Sequence, residues 1–190
     1  METHLNRPAS TATPIFQAGT TVIYPMLGKC TVIGCEEKSI GGKTLAFYKL
    51  EVQRSSFSRS SRQDPAVWIP VNAAKEQGLR APLQAENVPE IFAIFASREY
   101  FFEIQRPWNQ LQPELERTIR LEGAIGLAKV SSYLFVLKKK QIVPSPEVNR
   151  FSEAVDRLLY RELSEATGEP IRALEEKTKK LMRPKLTLDH

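Results

Sequence analysis

The apolar pattern of this chain changes its period at about residue 85. Before that point apolar side chains come in short β-branched and aromatic runs broken by Gly, Pro and Ser. From about Asn87 they recur at a spacing near 3.6. A period of two marks strands and a period of 3.6 marks helices, so the chain predicts an α+β protein with a β module first and an all-α module second.

In the β module, Thr20–Tyr24 predicts a strand that Pro25 stops, followed by a turn at Gly28. Lys29–Cys35 predicts a second strand, and Gly34 inside it predicts a bulge or sharp bend. The paired glycines Gly41-Gly42 predict a hairpin, because both tolerate positive φ. Leu45–Val52 and Ala66–Pro70 complete four strands. Between them, Arg54 to Gln63 is rich in Ser and Arg and predicts a loop. Four or five short strands in about 65 residues predict a small, strongly bent antiparallel barrel. Cys30 and Cys35 stand at an odd spacing, which predicts one inward and one outward thiol.

In the α module, Asn87 predicts the cap of a helix with Ile91, Phe92, Ile94 and Phe95 on one face. Arg98–Gln105 predicts a second short helix carrying Tyr100, Phe101 and Phe102, broken by Pro107. Pro113 predicts the first turn of a helix through Leu115, Ile119 and Leu121, and Gly123 separates it from another that ends on Lys138-Lys139-Lys140. Ser145-Pro146 predicts a helix start and Gly168 its end; a charged helix, about Pro170–Met182, closes the module. The organisation expected is a disordered segment 1–15, a β domain 16–80, a linker 81–88, a helical domain 89–185 and a tail 186–190.

Composition narrows the function. No apolar run approaches the roughly 20 residues of a membrane span, and the start Met1-Glu2-Thr3-His4 does not resemble a secretory signal. The two histidines are His4 and His190, which argues against a zinc site or a His-based catalytic centre. No cofactor motif is present, so a non-enzyme without cofactor is expected. The net charge is +5, but it is unevenly spread. Residues 1–80 hold ten basic and six acidic side chains, residues 81–171 eleven and thirteen, and residues 172–190 six and three. The basic excess lies in the β module and the tail, where Arg172, Lys177, Lys179, Lys180, Arg183 and Lys185 predict a solvated basic stretch.

The ordered set Phe16…Gly19, Val22-Ile23-Tyr24-Pro25, Gly28, Ile40-Gly41-Gly42, Phe47-Tyr48-Lys49-Leu50, Ile69-Pro70, Ala74 and Gly78-Leu79-Arg80 resembles the CarD/CdnL family of bacterial transcription regulators. The resemblance is to the RNA-polymerase-interacting domain that this family shares with the transcription-repair coupling factor. It continues more loosely through Trp108, Leu115-Glu116-Arg117, Gly123, Ala128-Lys129-Val130 and the segment 145–167. It implies a Tudor-like β domain that docks on the RNA polymerase β subunit. It also implies a helical domain that lies on promoter DNA and stabilises the open complex, with no sequence reading. Lys38 and Trp68 fall on the family's docking positions, and Pro70 is expected to end a strand at a docking edge, since an exposed sheet edge accepts a partner strand. Trp108 would wedge into the minor groove, with basic neighbours such as Arg106 and Arg117 on phosphates; Lys138, Lys139 and Lys140, otherwise a solvated helix end, are the basic residues that could supply phosphate contacts from elsewhere. A cytoplasmic, nucleoid-associated monomer without a membrane partner is the corresponding expectation.

Two departures from the family pattern stand out. Trp68 occupies a position that is basic in the family, and Asn109–Glu114 after the tryptophan lack the usual positive charge. A protein-binding adaptor that keeps polymerase docking without direct DNA contact is therefore the alternative. Without the family, Trp108 reads as a packing residue; its polar neighbours Asn109-Gln110 lead to the expectation of an exposed ring.

Overall fold

A computed structural model describes residues 15–53, 66–103, 106–140 and 146–187. The expected disorder of the first fourteen residues, the Ser/Arg loop and the Ser145 cap lie outside these. Among the described residues four strands and five α-helices form an α+β protein, and the chain divides into two compact units after Leu79.

The first unit is an open antiparallel sheet in the order β1-β2-β3-β4, with β1 Thr21–Tyr24, β2 Gly28–Ile40, β3 Lys43–Val52 and β4 Val67–Pro70. β1 and β4 are its two edges. β2 and β3 run longer than expected because the connection between them is a tight turn: Gly41 and Gly42 adopt φ 59° and 76°, the handedness that matches strand twist. The turn after β1 is made by Met26, whose φ is 60°, as well as by Gly28. Val22, Cys30, Val32, Tyr48, Leu50 and Ile69 fill the core on one face. Tyr48 also ties down the entering chain, because the amides of Ile15 and Phe16 both donate to its Oη at 2.7 and 3.2 Å.

The register of β2 slips between Val32 and Gly34, the bulge that Gly34 foretold. Because side chains alternate, one extra residue turns over everything that follows. Cys30 is buried and Cys35 exposed, as expected, but the reason differs. Cys30 lies opposite Val52 and Cys35 opposite Tyr48, so the bulge puts both on the same face of the sheet, and the difference in exposure does not come from alternation.

The second unit contains α1 Val88–Ala96, α2 Trp108–Glu122, α3 Ala124–Lys139, α4 Pro146–Thr167 and α5 Ile171–Met182. α3 is apolar on most sides, as a central helix must be, and packs against α1, α2 and α4. α2 and α3 approach closely at Gly126, where a Cβ would stand 2.4 Å from the Thr118 carbonyl oxygen. Their junction is Gly123, with φ 61° and ψ −125°, a conformation open to glycine. α4 ends at Gly168 as expected, with φ 74° and its N–H donating to the Ser164 carbonyl. No helix among the described residues is long and apolar enough to cross a membrane.

Three sequence expectations are corrected here. Residues 98–103 are not helical; their aromatics instead cover α3, with the Phe102 ring 5.2 Å from that of Tyr133 and the Tyr133 hydroxyl donating to the Glu103 carbonyl at 2.8 Å. α2 begins at Trp108, so Pro113 lies inside it rather than in its first turn. Lys185 is not part of a solvated tail. It is 1% exposed, and its Nζ donates to the Ile94 carbonyl at 3.0 Å and to Ser132 Oγ at 2.6 Å.

Arg80 opens the second unit and forms a two-pronged pair with Glu162 of α4, at 2.9 and 2.7 Å. Glu162 is 7% exposed, so this guanidinium answers a nearly buried carboxylate. The Arg80 side chain passes so near Gly123 that a Cβ there would lie 2.6 Å from its Nε.

Candidate functional site

Each unit carries its own candidate surface. On the sheet, the bulge decides which residues gather. Without it, Lys38 would fall on the core face with Cys30 and Val32. With it, Lys38 pairs with Leu45 and Glu36 with Phe47, on the face opposite the core. β3 and β4 add to that face through the pairs Lys49–Trp68 and Phe47–Pro70.

The result is a cluster around one indole. Lys38 Nζ stands 3.0 Å from the centre of the Trp68 ring, and Lys49 Nζ stands 5.3 Å from it. Lys38 also reaches within 6.0 Å of the Phe47 ring. Two ammonium groups near one aromatic face are held by the ring quadrupole. Lys49 is partly neutralised by Glu36 at 3.5 Å. Trp68 is half-buried and Phe47 is 8% exposed. The structure thus brings Lys38, Trp68 and Pro70 together, and adds Phe47 and Lys49, which sequence reading missed. The signal for these two was the bulge, since their face follows from the register after Gly34. β4 offers the patch a neighbouring edge, with no strand paired to it among the described residues.

The second surface is on the helices and is less uniform. Trp108 is the first residue of α2, and its exposure is corrected: the ring is half-buried, 5.6 Å from Phe151 in an edge-on contact. Its indole N–H is buried and has no hydrogen-bond partner among the described residues. Such an orphan donor costs about 1–3 kcal/mol. Arg106 is held by Glu114 and by Glu103, the latter at 3.8 Å, so its charge is largely spent within the protein. Arg117 is exposed on α2. Lys138 and Lys139 are exposed in the last turn of α3, whereas Lys140 donates to the Tyr100 hydroxyl at 3.2 Å. The expected DNA set therefore divides into an inward group, Trp108, Arg106 and Lys140, and an outward group, Arg117, Lys138 and Lys139.

Two buried ionisable groups accompany this surface. Burial pulls the Lys185 ammonium down to about 8, with Glu99 acting weakly in the other direction. Burial pushes the Tyr133 phenol up to about 12, and the nearby Glu114 and Glu103 add to this. No protein-family model matches the sequence, and no curated protein matches it.

Proposed function

We propose that this protein is a transcription regulator that docks on the β subunit of RNA polymerase through the Trp68 face of its sheet and acts on the promoter complex through its helices. The observation that carries this reading is the convergence of Lys38, Trp68 and Pro70 on one face beside the open β4 edge. A half-buried aromatic ringed by lysines suits a partner that offers an acidic or main-chain-rich strand. The bulged β2 fits the reading of the sheet as a small Tudor-like barrel. On the helices, Arg117, Lys138 and Lys139 supply positive charge for phosphates without reading sequence. Action on promoters places the protein at the nucleoid.

A second reading, the adaptor without direct DNA contact, is favoured by the inward packing of Trp108 and the pairing of Arg106. A wedge role would require the indole to leave Phe151, which its unsatisfied N–H makes less costly.

Docking is tested by equilibrium binding of the full chain to the polymerase β subunit. A central tryptophan is worth about 2 kcal/mol or more, so Trp68→Ala should weaken binding by roughly thirtyfold or more, and Lys38→Glu should weaken it also. Failure of the wild-type protein to bind would remove both readings. Promoter open-complex lifetime then separates them: Trp108→Ala shortens it if the indole is a wedge and leaves it unchanged if the protein is an adaptor.

A further inference from the structure

α3, α4 and α5 frame a cavity of about 410 Å³ whose Asp156 wall neither reading above uses, although Lys138 and Lys139 at its rim are shared with the proposed phosphate contacts. This volume falls in the range of small-molecule sites. One wall carries Asp156. Its Oδ1 accepts from Ser131 Oγ at 2.6 Å, the one hydrogen bond of this carboxylate among the described residues. Burial raises the pKa of Asp156, with the Ser131 hydrogen bond and Lys138 acting in the other direction. Lys138 and Lys139 also line the cavity, and neither forms an ion pair among the described residues. The third lysine, Lys179, is already held by Glu175 at 3.2 Å. Phe135 and Met182 contribute apolar wall.

A carboxylate and two ammonium groups thus share one cavity without pairing. Direct pairing would be the simplest way to settle a desolvated carboxylate. A ligand that bridges them does the same, provided it carries N–H donors at one end and an anion at the other. A polyamine meets repulsion from the lysines. A free phosphate answers the lysines and leaves Asp156 unanswered. A flat body between the two ends would lie against Phe135.

We infer that this cavity binds a guanine mononucleotide, with the N–H edge of the base on Asp156 and the phosphate on Lys138 and Lys139. A carboxylate has lone pairs enough to accept two adjacent base N–H groups while keeping Ser131, and lysine is a competent point charge for phosphate. This site is independent of polymerase docking, and its test needs the full chain alone.

The experiment is isothermal titration calorimetry with guanosine 5′-monophosphate, guanosine and inorganic phosphate. The nucleotide should bind at least about tenfold more tightly than either half, since each end adds charge-assisted hydrogen bonds. Asp156→Asn places an amide donor against the base donors. It should weaken the nucleotide about tenfold or more and leave phosphate binding unchanged. Lys138→Gln with Lys139→Gln should weaken both the nucleotide and phosphate. The Met182 methyl resonance should shift as wild-type protein is saturated with nucleotide, which decides the matter should Asp156→Asn fail to fold. Equal binding of nucleotide and phosphate, undiminished nucleotide binding by folded Asp156→Asn, or an unmoved Met182 methyl would each overturn the proposal.

Discussion

Lys185 allows a sharp test of how the helical unit holds its C-terminal segment. Its ammonium is 1% exposed and meets Ile94 O and Ser132 Oγ. Ile94 lies in the last turn of α1, where carbonyls have no partner within the helix. The lysine therefore caps α1 from the far end of the unit, a favourable placement for a cation at a helix C-terminus. Burial nevertheless lowers its pKa from 10.5 to about 8.

Below about pH 8 the lysine is charged in both states, and the folded state bears the full burial cost. Between about 8 and 10.5 the folded protein has lost the proton while the unfolded chain still holds it. The unfolded state then binds more protons, so stability rises with pH across this window. Across the whole window the gain is about 3 kcal/mol, of which about 2 kcal/mol is gained between pH 7 and 9.5. Lys185→Met removes this gain. At pH 7 its net effect is smaller, because relief of the charge is offset by about 1–3 kcal/mol for the carbonyl left without a donor. Urea unfolding followed by helical circular dichroism, at pH 7 and at pH 9.5, reads the difference. Cys30, Tyr133 and Tyr160, whose pKa values burial raises where it lowers that of Lys185, titrate alike in both proteins and cancel. Equal pH slopes for wild type and Lys185→Met would refute the argument.

Gly126→Ala gains helix propensity but drives a Cβ to 2.4 Å from the Thr118 carbonyl. The overpacking cost of about 1–3 kcal/mol outweighs the gain, so a lower thermal midpoint is expected, and an unchanged one would count against close α2–α3 packing. Arg80→Met leaves the Glu162 carboxylate, 7% exposed, without its guanidinium; a loss of about 3–5 kcal/mol in urea unfolding is expected. The double variant Arg80→Met, Glu162→Met should recover most of that loss, and failure to recover would mean that Arg80 acts by packing rather than charge.

The sequence made the helices legible wherever one face had to be buried. Val148, Phe151, Val155, Leu159 and Leu163 recur at the right spacing and are all buried on α4, because amphipathic spacing is imposed by the core itself. The expectation of helix over residues 98–103 rested on three consecutive aromatics, which carry no helical period, and Phe102 serves instead as a cover over Tyr133. A cover needs apolar area and leaves backbone period open. Lys185 was illegible for a related reason. Charge composition assigns a basic tail to solvent, and nothing in the local sequence reveals that the end of α1 lacks a donor.

For the candidate site, the decisive information lies between strands. Lys38 is far in sequence from Trp68 and Pro70; Lys38 and Trp68 could be named from the family resemblance and Pro70 from its place at a strand end. Their meeting depends on a single inserted residue in β2. Gly34 announces the bulge, but which side chains it turns over follows from the pairing with β3, a property of two strands together. The same slip exposes a consequence for the partner surface. If Ile33 were instead absorbed into regular alternation, with no bulge, Lys38 would return to the core face, so an ammonium would share the side of Tyr48 instead of that of Trp68. The sheet must then either bury that charge or lose its register. The bulge is thus what permits one strand to serve the core at Cys30 and Val32 and the outer aromatic patch at Lys38.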